Sequence, residues 1–382
     1  MGARRARRGH VYRRRTKSGG WTSWYAVIDL DRDQDGKRRQ QSKSFPNRAQ
    51  AHAWLTQMQE QNTSEGPTLG GWLSEWLGRA KDLRPSTRES YRGHVANYLV
   101  PLLGDAPLGA LGTSEVAALH EMLAAAGVST ATARRVHATL SSALSAAERD
   151  GLIPANPCPK VPMPYGQRYQ PAVWSAWQAS RFLEVTASDD LAALWRLAVL
   201  LGLRRGELAG LRWRDVDLDA AAVTVRTTRV VVGDQVIEGP PKTARSRRVL
   251  PLDARTVEVL RRQWRQQTRQ ALQDAWGPVE YVFTDDSGKA LHPAWISRRF
   301  AELVQRLGLP PIRFHDLRHT SATLGLAAGE SLKAVSQRLG HSSIVVTADT
   351  YLSPPDSLAR VATSWLAAEL DRGPLPGDRG AA

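Results

Sequence analysis

Cysteine is almost missing from this chain: Cys158 is the single one in 382 residues. A lone thiol cannot close an internal disulfide, so the chain suits a reducing cytosol. Long apolar runs are missing too. The best stretch, Leu191 to Leu203, carries Arg196 and is too short to cross a bilayer. The basic N-terminus is followed by no apolar segment, which argues against a secretory signal. Acidic residues are in deficit, 37 against 52 Lys and Arg, leaving a net charge of +15. Disorder throughout is excluded, because 42% of the residues are hydrophobic. At roughly 100–200 residues per domain, the length predicts two or three domains.

The excess charge is concentrated. The first 60 residues carry 14 basic and 5 acidic side chains, a net of +9, and the other 322 carry a net of only +6. A basic module ahead of a nearly balanced body favours a polyanion, through phosphate neutralisation and counterion release. A solubilising or disordered tail is the other common reading of such a run, and composition alone favours nucleic-acid binding only somewhat.

The pattern divides the chain further. Residues 10–45 read as three strands, with Lys17-Ser18-Gly19-Gly20 and Asp35-Gly36 as turns. Pro46-Asn47 opens a helix from Arg48 to about Gln61, with Asn47 as N-cap. This β-β-β-α module presents arginines on its hairpin, and Arg13, Arg14, Arg15, Lys37, Arg38 and Arg39 are its candidate DNA contacts. Residues 68–150 read as all-helical. Leu69, Trp72, Leu73, Trp76 and Leu77 recur at helical spacing, and Ser86-Thr87-Arg88-Glu89 has capping-box spacing. Further helices follow Thr113 and run from Thr130 to Arg149, where Asp150-Gly151 ends the last one. Six prolines between residues 151 and 172 predict an extended linker. The C-terminal half begins with helices over Trp174–Thr186 and Asp190–Leu203. It turns β-rich from Ala222 to Leu252, with turns at Gly233-Asp234 and Thr243–Ser246, and becomes helical again. This order predicts an α+β, mainly helical domain with a small antiparallel sheet, over residues 173–372. Residues 373–382 are a Gly/Pro-rich tail.

Asp31-Arg32-Asp33-Gln34-Asp35-Gly36 starts like an EF-hand calcium loop. Ser42 stands where the bidentate Glu is needed and Lys37 stands at the seventh position, so the segment reads as a hairpin turn.

Four short constellations carry chemistry, and each has a bland reading beside it. Arg204 and Arg205, before Glu207, suit an anion, but taken alone they are explained more simply as cations at a helix end paired to Glu207. Lys242, followed by Arg245, Arg247 and Arg248, is either a phosphate-reaching lysine or a solvated turn residue. His315, Arg318 and His319 share a face on a helix. A zinc site there lacks both the Glu of an H-E-x-x-H motif and a third ligand, so no metal is expected. His341 precedes Tyr351 by ten residues. A tyrosine is usually a packing residue, but it can also be a nucleophile.

The order of these pieces is more specific than any of them. Arg204, Lys242, His315-x-x-Arg318, His341 and Tyr351 resemble the catalytic set of the tyrosine recombinases, the family that includes phage integrases. The strings Gly202-Leu203-Arg204-Arg205-Gly206-Glu207-Leu208, His315-Asp316-Leu317-Arg318-His319-Thr320 and Leu339-Gly340-His341-Ser342-Ser343 match as well. Leu201 departs from the pattern, since many members have Thr there. The resemblance is strong over about residues 172–370. Residues 68–150 resemble a core-DNA-binding domain, and residues 1–62, more weakly, an arm-site DNA-binding domain.

The resemblance implies a site-specific recombinase of the bacterial cytosol, associated with the nucleoid. Tyr351 attacks the phosphodiester and forms a 3′-phosphotyrosyl link. His315 takes the phenol's proton, and Arg204, Arg318 and His341 bind phosphate oxygens. Lys242 protonates the leaving 5′ oxygen, and Glu207 orients its neighbours. No metal, ATP or other cofactor is implied. Another 5′ hydroxyl reverses the reaction, and exchange passes through a Holliday junction. The implied partners are double-stranded DNA with core-type and arm-type attachment sites and a homotetramer on that DNA, with room for a host DNA-bending protein and a directionality factor.

Leu358, Val361, Ala362, Trp365, Leu366 and Leu370 form an apolar helical stripe. It either packs within its own domain or, as in the family, docks on a neighbouring protomer. Other readings are a multimer-resolving recombinase, a DNA-binding regulator with an inert centre, and a type IB topoisomerase. The basic module at residues 10–60 favours an integrase over the multimer resolvers.

Overall fold

A computed structural model of the chain describes residues 9–15, 21–30, 39–64, 66–80, 82–163, 171–241, 246–340 and 343. The chain divides into two compact units, Met1–Arg168 and Tyr169–Ala382. Among the described residues no helix is long and apolar enough to cross a membrane.

The first unit holds two separate cores. Strands β1 (Gly9–Arg15), β2 (Trp21–Leu30) and β3 (Arg39–Phe45) form an antiparallel sheet with β2 central. Tyr12 faces Tyr25, and Trp24 faces Phe45. Helix α1 (Arg48–Ser64) follows, its first turn capped by Asn47, whose side-chain oxygen accepts the Gln50 N–H at 2.9 Å. Ala26 and Ile28 of β2 bury against Ala51 and Leu55 of α1.

The second core is helical: α2 (Leu69–Arg79), α3 (Pro85–His94), α4 (Val100–Leu103), α5 (Thr113–Ala125) and α6 (Thr130–Arg149). Leu69, Trp72 and Leu73 pack on Val136, Leu140 and Leu144, and the Trp72 indole donates to the Ala143 carbonyl at 2.9 Å. The expected capping box at Ser86 does not form. The helix starts two residues earlier, at Pro85, with Arg84 in the cap position and no side-chain cap bond. Proline at a first helical position gives up no hydrogen bond and has its φ preset, so it sets the start. Between α3 and α4, Val95–Leu99 forms a π turn. Pro101 has no N–H to direct at the Asn97 carbonyl, and the widened turn precedes it. Gly151, at φ +72°, ends α6 as expected.

The proline-rich stretch is not uniformly extended. Ile153, Cys158 and Val161 bury into the helical core. The Asn156 amide donates to the Ser141 carbonyl and the Ser145 hydroxyl. Apolar side chains between the prolines gain more by packing than an extended chain offers. Burial pushes the Cys158 thiol up to about 11, which leaves it protonated and unreactive.

The second unit is built around α8 (Ala192–Leu201), preceded by α7 (Ala176–Val185). Leu194, Trp195 and Leu197 of α8 are fully buried. The rings of Trp174, Phe182, Trp195, Phe300 and Phe314 meet with centroids 5.2–6.4 Å apart. Then come α9 (Arg205–Ala209), β4 (Val216–Asp217), β5 (Ala222–Val225), β6 (Thr228–Val232), β7 (Gln235–Gly239) and β8 (Arg248–Pro251). They form two small antiparallel sheets, β4-β5-β8 and β6-β7, where one was expected. Helices α10 (Ala254–Gln273), α11 (Pro293–Arg306), α12 (Asp316–Ala327) and α13 (Leu332–Leu339) complete the unit. The mixed, mainly helical class is as expected.

Candidate active site

The site begins where α8 stops. Gly202 adopts φ +61°, and a Cβ there would press on Leu339 and on the Ser321 hydroxyl. The left-handed turn and the tight packing both call for glycine. Leu203 is buried, and Arg204, in extended conformation, becomes the N-cap of α9. Glu207, three residues on, reaches back to it. The Arg204 backbone N–H donates to Oε2 at 3.0 Å and its Nη1 to Oε1 at 2.8 Å.

The same carboxylate holds a second arginine. Arg248, at the start of β8, donates from Nη1 to Oε1 at 3.1 Å and from Nη2 to Oε2 at 2.9 Å. The Glu207 and Arg248 side chains are buried, while Arg204 keeps 36% of its side chain exposed. Burial alone would raise the Glu207 carboxyl. Hydrogen bonding and charge from Arg248, helped by Arg204, outweigh it and hold the group below the usual carboxylate range.

The last carbonyls of α13 take three arginines in succession. Arg338 O accepts Arg248 Nε at 2.6 Å, Leu339 O accepts Arg318 Nη2, and Gly340 O accepts Arg204 Nη2 at 3.2 Å. Arg318, on α12, also donates from Nη1 to the Gly202 carbonyl at 2.7 Å. Two helix C-termini therefore converge on the arginines. Their orphan carbonyls and the negative ends of their dipoles suit cations. Gly340 stands at φ +67°, where a Cβ would meet Arg248 at 3.0 Å.

His315 is the N-cap of α12, and its ring centroid lies 5.7 Å from that of His319. His315 is exposed at the surface, yet the protein atoms crowded about it withdraw solvent and, with the positive charge of Arg318, push it down to about 4. Burial lowers His319 also. At neutral pH His315 is thus an uncharged imidazole able to accept a proton. The buried Asp316 carboxylate accepts the Arg313 backbone N–H, Nε and Nη2 at 2.9, 3.1 and 2.9 Å, which ties down the turn before α12.

Of the sequence-derived set, the structure brings together Arg204, Glu207, His315 and Arg318. Lys242, His341, Tyr351, the apolar stripe from Leu358 to Leu370 and the Asp31–Gly36 turn lie outside the described residues. In the first unit, Arg13 is exposed on β1, with its guanidinium 5.8 Å from the centre of the Trp24 ring. Arg14 and Arg15 also lie on β1, and Arg39 opens β3, whereas Lys37 and Arg38 are outside the described residues. Sequence reasoning missed the part Arg248 plays, because its partner Glu207 lies far away along the chain. Among the described residues no group of three or more His, Cys, Asp or Glu could hold a metal.

The Phage integrase family model matches residues 177–357, and the Arm DNA-binding domain model matches residues 11–61. Residues 177–357 thus form a phage integrase family domain. A tyrosine recombinase XerC-like protein of Caldanaerobacter subterraneus subsp. tengcongensis is 28% identical, covering 74% of this chain and 78% of its own. An integrase of Mycobacterium phage L5 is 27% identical, covering 81% and 86%. Among solved structures, a Tn1549 transposon integrase with a circular intermediate DNA shares the fold at TM-score 0.67 and 19% identity, covering 79% of this chain and 100% of that one. A lambda integrase tetramer bound to a Holliday junction superposes at TM-score 0.57 and 20% identity, covering 85% and 92%.

Glu207 titrates lower in the folded recombinase than in the unfolded chain. Its contribution is therefore complete above the ordinary carboxylate range and is lost as pH falls through the folded value. Glu207→Gln should cost about 3–5 kcal/mol at neutral pH, by leaving buried arginine charge uncompensated. The variant should also show a flatter loss of stability on acidification. Urea unfolding at about pH 7 and about pH 4 checks both, and unchanged stability at neutral pH would contradict the geometry.

Proposed function

We propose that this recombinase is a site-specific integrase. It cleaves and rejoins DNA through a 3′-phosphotyrosyl intermediate at Tyr351 and inserts or excises a phage or other mobile element. The observation that carries the reading is the arginine cradle. Arg204 and Arg318 are fixed by helix-end carbonyls, Arg204 is additionally held by Glu207, and a neutral His315 stands beside them. A tyrosine phenol ordinarily ionises near about 10, so attack at neutral pH needs a base. His315 takes that proton as the Tyr351 oxygen bonds to phosphorus. Arg204, Arg318 and His341 bind the non-bridging oxygens. The bond from phosphorus to the 5′ oxygen breaks, and Lys242 supplies the proton the leaving oxygen needs. The phosphotyrosine keeps the phosphodiester's energy, so a 5′ hydroxyl of another duplex reverses the sequence. Guanidinium charge fills the place that metal ions take in many phosphoryl transfers, so neither metal nor ATP is required.

Residues 1–62 act on arm-type sites, 68–150 on core-type sites and 173–372 in catalysis, with residues 151–172 as the connection and 373–382 as a tail. The separate cores within the first unit and the matched arm model support this division. The working assembly is a homotetramer on duplex DNA in the bacterial cytosol, at the nucleoid, with room for a bending protein and a directionality factor. The XerC-like relative keeps multimer resolution as a second reading, and the arm module at residues 11–61 weighs against it.

A nicked duplex carrying the attachment site, incubated with EDTA, should trap a covalent protein–DNA product with the wild type and none with Tyr351→Phe. Dependence on divalent metal, or cleavage by the variant, would overturn the mechanism. Removal of residues 1–62 should weaken arm-site binding and flatten its salt dependence while core-site cleavage survives. An unchanged salt slope would remove the arm role.

A further inference from the structure

One arginine next to the cradle ties three helices together, and its own carbonyl is already committed to Arg248. Arg338 lies in the last turn of α13. A helical side chain leans toward its own N-terminus, so the long Arg338 chain runs back along α13. It meets Glu330, just ahead of the Ser331 N-cap, with Nε at 3.0 Å from Oε1 and Nη2 at 2.7 Å from Oε2. The positive end of the α13 dipole suits that carboxylate. The rest of the fork leaves the helix. Nη1 donates to the Leu200 carbonyl of α8 at 3.1 Å and to the Ser321 hydroxyl of α12 at 2.6 Å, and Nη2 donates to the Ser321 carbonyl at 3.2 Å. The Ser321 hydroxyl in turn donates to the Leu200 carbonyl at 3.0 Å.

Every N–H of this guanidinium has an acceptor, Glu330 balances its charge, and only 14% of the side chain is exposed. Arg338 therefore has no donor left for a phosphate. Its contacts bear instead on the arginines proposed for that task. Arg318 spans the same two helix ends, from the Gly202 carbonyl after α8 to the Leu339 carbonyl of α13. Leu200 is two residues before Gly202. Arg338 is one residue before Leu339 and two before Gly340, whose carbonyl takes Arg204. Ser321 is three residues after Arg318 on α12 and shares its face. The junction is tightly packed. A Cβ on Gly325 would strike the Glu330 carboxylate and the Arg338 guanidinium, and one on Gly202 would press on Ser321.

We propose that Arg338, with Ser321 and Glu330, is a positioning residue for the cradle: its fork sets the spacing of the α8 and α13 ends whose carbonyls hold Arg318 and Arg204. The proposal rests on the reading of those two arginines as phosphate ligands. Lysine would keep the charge and most of the length but not the planar fork. A single ammonium cannot serve Glu330, Ser321 and Leu200 in these directions. Loss of the fork frees the α13 end to move, and Arg318 and Arg204 move with it.

Two readouts, one of them independent of catalysis, test this on the full chain as wild type, Arg338→Lys, Ser321→Ala and Glu330→Gln. The first is single-turnover cleavage of a suicide duplex. Arg338→Lys should be about 10- to 100-fold slower at unchanged DNA affinity, since a small misplacement of a catalytic group costs this much. The second is the titration of His315 without DNA, followed by NMR of its ring protons and assigned by their loss in His315→Gln. Arg318, His319 and Arg204 place positive charge around that ring and Asp316 opposes them, so withdrawn arginines should raise its pKa from about 4 toward 6.5. Ser321→Ala and Glu330→Gln should move both readouts the same way by less, and they are judged by the same criteria if Arg338→Lys does not fold. Leu260→Ala, a truncation in the buried core, controls for lost stability, and its His315 should titrate as in the wild type. Wild-type cleavage by Arg338→Lys, or slowed cleavage with His315 unmoved, overturns the positioning role, and so does an equal His315 shift in Leu260→Ala. Wild-type cleavage by Arg204→Ala overturns the phosphate reading instead, whatever His315 does in the Arg338 variant.

Discussion

Three consecutive carbonyls at the end of α13 each accept a different arginine, and the rest of the catalytic unit is arranged around that fact. A helix C-terminus leaves carbonyls without intrahelical partners, and burial makes such groups costly to leave unpaired. Here Arg248, Arg318 and Arg204 satisfy them in chain order, and the C-cap of α8 adds a fourth carbonyl. Glu207 then pairs with two of the three guanidiniums and offsets one positive charge. Desolvating several like charges together would be prohibitive without such compensation. The cost of assembling the cradle is met on folding, so the guanidiniums are already in place in the folded chain.

This arrangement explains the glycines in the matching strings. Gly202 and Gly340 both stop helices in the left-handed region and turn carbonyls toward arginines, and both sit where a Cβ would collide. The strings around Arg204 and His341 therefore encode backbone direction as much as side-chain chemistry. The gathered arginines also help explain the low His315 pKa: an imidazole losing solvent beside Arg318 and Arg204 resists a further positive charge.

Much of this was legible in the sequence, for identifiable reasons. The helices around Trp72 and over Thr130–Arg149, and the cap at Asn47, follow from local periodicity and capping. Arg204, Glu207, His315 and Arg318 were legible through their order and their local strings. Arg248 was not, because its role depends on a carboxylate 41 residues away and a carbonyl 90 residues away. The start of α3 was misplaced because Pro85 competes with the Ser86 cap signal and prevails. The linker was misread because proline content says nothing about whether Ile153 and Cys158 find a core. The net charge proved informative by its partition: the bulk of it lies in the first 60 residues, and the candidate site gathers a few cations held in place by backbone carbonyls.

Above all, Glu207 and Arg248 act as one unit in holding Arg204. Single-turnover cleavage of a suicide duplex by wild type, Glu207→Gln, Arg248→Gln and the double variant tests this most directly. A shared network predicts that the double variant is no slower than the worse single one. Losses that simply multiply would show independent residues and contradict the claim.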